Sequence, residues 1–252
     1  MSRPGFIDLN ADVGEGCATD SQLVPLVSSV NIACGGHAGD LETMRRTVAL
    51  ALRNRVAIGA HPGFADRANF GRKELPVTPG QAAALVVEQT WLLESVASKL
   101  GASVGHIKLH GALYNMASRD RVLAAAIAAA ISEAARESGS RWLLVALAGS
   151  ELYSIARAFG LRVSAEAFAD RSYRDDGTLA PRTEPGAVIA DESKAASQAV
   201  RLAKEGLVRT AGGADVPVSA DTICIHGDGP NAVALARRIR DDLELAGVEV
   251  RC

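Results

Sequence analysis

The chain has 252 residues, is 48% hydrophobic and carries a formal net charge of −2, with an isoelectric point near 6.2. That length suits one large domain or two small ones, and we take residues 1–252 as a single domain. Near-neutral, scattered charge gives no footprint for nucleic acid or for an anionic membrane surface. The N-terminus has no basic segment followed by an apolar stretch, and no run approaches the roughly 18 apolar residues of a membrane span. Four cysteines, Cys17, Cys34, Cys224 and Cys252, form no C-x-x-C pair. Free thiols in a reducing, cytoplasmic setting are therefore expected.

In chain order, short β-branched runs alternate with longer helical patterns. Strands are predicted over Gly5–Leu9, Ser29–Ala33, Val56–Ala60, His106–Leu109, Leu143–Leu147, Arg162–Glu166 and Thr222–His226. Helices are predicted over Leu41–Asn54, Pro79–Leu100, Arg119–Glu137, Glu151–Phe159, Asp191–Glu205 and Ala232–Leu245. Thr78 before Pro79 makes a good helix start. Gly101, Gly139, Gly160, Gly206 and Gly247 read as helix stops. The alternation predicts an α/β fold with a parallel sheet and crossover helices. Seven such units with no Pro- or Ser-rich linker favour a closed, seven-stranded parallel (β/α) barrel of distorted TIM-like form; an open doubly wound sheet is the alternative.

Several of these strands carry polar residues where a buried strand is normally apolar. Successive strand side chains point to opposite faces. Ile107 and Leu109 thus share one face, and His106, Lys108 and His110 the other. Asp8, Asn10 and Asp12 alternate with Ile7, Leu9 and Ala11, and Cys224 and His226 with Ile223 and Ile225. An unpartnered buried polar group costs roughly 2–7 kcal/mol on transfer scales, and an active site is the usual reason to bear it. Asp12, His37, His61, His110 and His226 are expected to line one mouth at the C-terminal strand ends, with Asp8 and His106 supporting them from below.

All five histidines lie at or just beyond predicted strands. Asp12, His37 and His61 offer a nitrogen and oxygen donor set that suits a divalent metal, although H-E-x-x-H spacing is absent; alternatively Asp12 only orients its loop. Lys108, flanked by His106 and His110, must either lose its proton or find a carboxylate. Asp8, Asp12 and Glu166 are the candidate partners, and a purely structural ion pair is the alternative role. The polar loops 61–73 and 168–182 both contain Phe-Ala-Asp-Arg, which reads as duplication or as coincidence. Gly227-Asp-Gly-Pro-Asn-Ala232 fits G-x-G-x-x-A but comes too late in the chain for a dinucleotide site. There is no G-x-x-x-x-G-K-[ST] and no G-x-S-x-G.

The motifs together are distinctive. Ile-Asp-Leu-Asn-Ala-Asp-Val-Gly-Glu-Gly at 7–16, Asn-Ile-Ala-Cys-Gly-Gly-His-Ala-Gly-Asp at 31–40, Ala-Ile-Gly-Ala-His-Pro-Gly-Phe-Ala-Asp at 57–66 and Phe-Gly-Arg at 70–72 open the series. Lys-Leu-His-Gly-Ala-Leu-Tyr-Asn at 108–115, Leu-Ala-Gly-Ser-Glu at 147–151, Phe-Ala-Asp-Arg-Ser-Tyr at 168–173, Leu-Ala-Pro-Arg at 179–182 and His-Gly-Asp-Gly at 226–229 complete it. Over essentially its whole length the chain resembles the family of bacterial 5-oxoprolinase A subunits, the LamB/YcsF-type proteins.

That resemblance implies one component of an ATP-dependent enzyme that opens the lactam of 5-oxo-L-proline to L-glutamate, with ATP going to ADP and phosphate. It implies two partners, the 5-oxoprolinase subunits B and C, and a barrel of the glycoside hydrolase/deacetylase type. With no P-loop in the chain, ATP is expected to bind mainly with the partners. Our own assignment takes Asp12, His61, Lys108 and His110 as catalytic: Lys108 with His110 stabilises developing charge, and Asp12 or His61 acts as general base. Asn10, Glu15, Arg72, Tyr114, Glu166, Arg182, His226 and Asp228 are expected around the substrate, with Arg72 and Arg182 on its carboxylate. Two rival readings are a metal-dependent deacetylase or amidohydrolase, and a non-catalytic lactam-binding subunit.

Overall fold

A computed structural model describes residues 5–181, 184–225 and 231–252. Ten strands are found among them: β1 Phe6–Val13, β2 Ser29–Ala33, β3 Ala57–His61, β4 His106–Lys108, β5 Leu143–Leu147, β6 Arg162–Phe168, β7 Leu207–Arg209, β8 Asp215–Pro217, β9 Thr222–Ile225 and β10 Glu249–Val250. Parallel pairing runs β1-β2-β3-β4-β5-β6-β9, and β9 pairs again with β1. The sheet therefore closes into a seven-stranded parallel barrel, which excludes the open doubly wound alternative. β10 adds to the start of β1, and β7 and β8 form a separate antiparallel hairpin.

The helices are α1 Asp20–Leu23, α2 Leu41–Asn54, α3 Pro79–Ser98, α4 Gly111–Arg119, α5 Arg121–Ser138, α6 Glu151–Ala158, α7 Glu192–Lys204 and α8 Ala232–Leu245. Local chemistry sets their ends. Thr78 and Gln81 form a reciprocal capping box on α3. Asp40, Asp120, Ser150 and Asp191 accept backbone N–H bonds at the starts of α2, α5, α6 and α7. The five glycines expected to stop helices all take positive φ, from 68° to 77°. No described helix is long and apolar enough to cross a membrane.

Some boundaries differ from expectation. β1 runs to Val13 instead of stopping at Leu9, because Asn10 and Asp12 belong to the strand. The helix expected over 119–137 is α5, which starts at Arg121 under its cap Asp120; α4, which ends at the same Asp120, had no counterpart in the sequence reading. The hairpin and β10 had no counterpart in the sequence reading.

Ile7, Leu9, Ala11 and Val13 of β1 and Ile107 of β4 are almost fully buried in one hydrophobic core with residues of the surrounding helices. The opposite strand faces carry a second, polar interior. Asn10, Asn31, His106, Lys108 and Glu166 are each at most 4% exposed. At about 25 cal/mol per Å² of apolar area, the outer layer supplies the stability that lets this polar interior persist.

Candidate functional site

The polar interior has a lower layer and an upper layer. In the lower one, Asp8 accepts from Ser28 Oγ (2.7 Å) and Ser29 Oγ (2.9 Å), and Thr222 Oγ1 donates to it as well (2.5 Å). Burial raises the Asp8 pKa above 3.8, and these hydrogen bonds only partly offset it. An acid raised in the folded state favours folding below its unfolded pKa, and that contribution is lost as pH rises through the folded value. Asp8→Asn should therefore gain stability relative to wild type as pH rises above 3.8. Urea unfolding of both proteins at pH 4 and pH 7 measures this, and a pH-independent difference would contradict it.

Above Asp8, Asn31 organises three strands. Its Nδ2 donates to Asn10 Oδ1 and Asp12 Oδ1, each at 2.8 Å, and His106 Nε2 meets its Oδ1 at 2.9 Å. Burial, then the neighbouring Lys108 charge, pushes His106 down to about 4, so the ring is neutral. The sequence reading missed Asn31; its signal was one amide in the otherwise apolar run Val30-Asn31-Ile32.

Lys108 Nζ sits at the barrel's centre. It lies 2.8 Å from Glu166 Oε1, 2.9 Å from Asp12 Oδ1, 3.2 Å from Asn10 Oδ1 and 3.0 Å from Cys224 Sγ. Burial opposes its charge, but Asp12, Cys224 and Glu166 outweigh that and hold its pKa well above 10.5. The lysine is thus an ammonium, and of its three candidate partners Asp12 and Glu166 pair with it. Asp8 does not, being committed to Ser28, Ser29 and Thr222. Tyr114 Oη donates to Glu166 Oε2 at 2.6 Å, and burial with the Glu166 charge keeps it un-ionised.

The upper layer is an imidazole cluster. His61 Nδ1 lies 2.8 Å from the Lys108 carbonyl, and His110 Nε2 lies 2.8 Å from the Phe70 carbonyl. Carbonyls only accept, so these nitrogens carry the ring protons. The inner nitrogens, His61 Nε2 and His110 Nδ1, face each other at 3.0 Å. His37 stacks on His110 with ring centroids 3.6 Å apart. Glu15 Oε1 is 3.1 Å from His37 Nε2, 3.4 Å from His110 Nδ1 and 3.8 Å from His61 Nε2. Asp12 Oδ2 stands 3.4 Å from His61 Nε2.

Loop stitching brings these rings together. His110 N donates to Pro62 O at 2.8 Å and Ala112 N to Gly71 O at 2.9 Å. Gly71 needs its positive φ of 63°, and a Cβ there would come 2.8 Å from His37 Cβ. Burial and the neighbouring imidazoles push His110 down to about 2; burial, then His61, pushes His37 to about 3. Burial disfavours the His61 imidazolium too, but Asp12 more than compensates and its pKa rises. His110 is consequently neutral, so the positive charge expected of it falls to Lys108 alone.

Among the described residues, the group with metal-ligand geometry is Glu15, His37, His61 and His110, whose ligand atoms all lie within 4.8 Å of one another. The group shares His37 and His61 with the expected Asp12, His37 and His61 set and adds Glu15 and His110, while Asp12 Oδ1 is taken by Lys108 and Asn31. Arg72 is exposed at the rim, its guanidinium 4.9 Å above the Phe70 ring. Arg182, His226 and Asp228 lie outside the described residues. The repeated Phe-Ala-Asp-Arg has one local job in both copies. Arg67 donates to Gly35 O and Gly39 O, and Arg171 to Ala180 O and Ala187 O, so each arginine ties down loop carbonyls. A cavity of about 270 Å³ beside Tyr173 and Asp175 touches neither polar layer, and one of about 580 Å³ beside Arg55 and Arg240 reaches the lower layer only at Ser28.

The LamB/YcsF family model matches residues 7–252. The chain belongs to this family. It is 48% identical over 250 residues to the 5-oxoprolinase A subunit of Bordetella pertussis, covering 97% of this chain and 98% of that one, and a 5-oxoprolinase A subunit of Bordetella bronchiseptica matches equally. The lactam utilization protein of Thermus thermophilus superposes with a TM-score of 0.90 at 44% identity, over 98% of this chain and 99% of that one. A peptidoglycan deacetylase of Bacillus subtilis shares the fold at TM-score 0.51 and 10% identity, over 99% of this chain and 87% of that one. The LamB/YcsF barrel is thus of the type seen in that deacetylase, as the resemblance implied.

Proposed function

We propose that this chain is the lactam-handling A subunit of an ATP-dependent 5-oxoprolinase, working with partner subunits B and C. The complex would convert 5-oxo-L-proline to L-glutamate while ATP goes to ADP and phosphate. The names of its relatives support the substrate class. The observation that carries the reading is the buried Lys108 ammonium, pinned between Asp12 and Glu166 directly beneath the imidazole cluster.

A five-membered lactam is an unstrained amide whose resonance resists water. Phosphorylating the amide oxygen removes that resonance, with the nucleotide and this step placed mainly on the partners. Water then adds to the activated carbon, and the ring C–N bond breaks as nitrogen takes a proton, leaving an acyl phosphate; a second water hydrolyses that to glutamate and phosphate. Asp12 Oδ2 faces away from the lysine and is the general base on water, with His61 beside it. Lys108 stabilises the developing charge, and a substrate oxygen would displace the thiol of Cys224, its weakest acceptor. Asn10 and Glu166, the latter backed by Tyr114, hold Lys108 in place, and Asn31 holds Asp12. Arg72 at the rim takes the substrate carboxylate bidentately, and Arg182, His226 and Asp228 complete the substrate's surroundings.

The test is to assay the chain alone and with both partners for glutamate and ADP. We expect ATP-dependent glutamate from the complete complex only. Full turnover by the chain alone would refute the division of labour, and silence from the complete complex would refute the reaction. The imidazole cluster keeps one second reading in play, a metal-dependent amidohydrolase or deacetylase; glutamate released without ATP and abolished by a chelator would favour it.

A further inference from the structure

We propose that Glu15, His37, His61 and His110 form a binding site for one divalent transition metal of the zinc class. This goes beyond the lactam reading and does not depend on it.

Three observations converge. The first is the pair of outer hydrogen bonds. The Lys108 and Phe70 carbonyls take the outer ring protons of His61 and His110 and aim their inner nitrogens at each other. Backbone carbonyls on the outer nitrogen are how metal-bound imidazoles are commonly oriented. Two imidazole nitrogens 3.0 Å apart need a cation between them, a proton in the metal-free protein or a metal ion in its place.

The second is spacing. Ligand atoms around tetrahedral zinc, at bond lengths near 2.05 Å, lie about 3.3 Å apart. Four of the six separations in the cluster, 3.0, 3.1, 3.4 and 3.8 Å, bracket that distance, and all six lie within 4.8 Å, so small ring shifts close the shell. The third is burial. His37, His61 and His110 are at most 5% exposed. Imidazoles buried together at that cost are explained by a ligand that uses their inner nitrogens.

The donor set fixes the metal class. Three imidazoles with one carboxylate suit zinc, cobalt or nickel, whereas magnesium and calcium prefer all-oxygen sites. The site would thus be distinct from any magnesium that accompanies ATP. A bound metal there would lie beside Asp12 Oδ2 and could polarise a water or a carbonyl oxygen.

The full, tag-free chain should be purified without chelator, analysed for metals, stripped, and titrated with cobalt(II) and with zinc. We expect one equivalent bound, visible ligand-field bands from cobalt in an imidazole-rich tetrahedral site, displacement by zinc and no competition from excess magnesium. Glu15→Gln and His110→Asn should each weaken binding at least tenfold, while Cys252→Ser leaves it unchanged. Binding far below one equivalent at saturating cobalt, magnesium competition, or affinity untouched by both ligand variants would overturn the proposal. If either variant fails to fold, the wild-type stoichiometry and magnesium competition decide alone. Failure here leaves the ATP-dependent assay unaffected, so the two readings fall separately.

Discussion

Lys108→Met is expected to reduce glutamate formation by the reconstituted complex by at least ~10²-fold, the scale on which a single charge-stabilising donor acts. It should also destabilise the chain. Asp12 and Glu166 lie 2.9 Å and 2.8 Å from Nζ, and removing the cation leaves two buried carboxylates facing one another. Breaking a buried pair costs about 3–5 kcal/mol. Loss of activity in the single variant therefore does not separate chemistry from folding. Lys108→Met combined with Glu166→Gln removes one negative charge with the positive one, and the amide can still accept from the Tyr114 hydroxyl. Thermal unfolding should show the double variant recovering part of the lost stability. Turnover should stay lost. If turnover returns together with stability, Lys108 only balances charge within the barrel, and the site's electrostatic centre must be sought elsewhere.

The parts of the structure most legible in the sequence are those where one physical signal dominates. β2 and β5 are short apolar runs with turns on both sides, and their bounds match expectation residue for residue. Capping chemistry located the start of α3, and glycine located five helix ends. Legibility failed where signals conflicted. Asn10 and Asp12 are polar residues in a buried strand: the alternation with Leu9 and Ala11 was readable, but the apolar run that marks a strand end stops at Leu9 while the strand continues to Val13. α4 begins directly after His110 with no side-chain cap and with a glycine in its first turn, so nothing local announces it. The alternation of His106, Lys108 and His110 was readable, because strand periodicity is local. The meeting of His37, His61 and His110 at one mouth followed from their places after the strands, but the closeness of Glu15 to all three did not. It depends on how the loops after three strands fold back on one another, and only tertiary contacts such as Ala112 N to Gly71 O fix that.

Gly59 lies between two elements of the site and predicts the second large effect. In the sheet register Asn31 is opposite Gly59, and Gly59 is opposite His106. His106 reaches its partner Asn31 across β3, through the space where residue 59 has no side chain. A Cβ on Gly59 would fall within the His106 imidazole itself. Gly59→Ala is therefore not a small change despite adding one methyl group. The ring is buried and hydrogen-bonded, so either it leaves Asn31 or the strands separate. Overpacking of this kind costs about 1–3 kcal/mol, and an unsatisfied Asn31 carbonyl adds about 1–3 kcal/mol more. Asn31 also holds Asp12 Oδ1 at 2.8 Å, so the displacement should reach the proposed general base. We expect a lowered midpoint of denaturant unfolding, and turnover that falls by more than the unfolded fraction accounts for. Adding His106→Ala to Gly59→Ala opens the space again and should recover stability relative to Gly59→Ala alone. If Gly59→Ala is as stable and active as wild type, His106 does not occupy that space in solution, and the three-strand bridge that supports Asp12 is wrong.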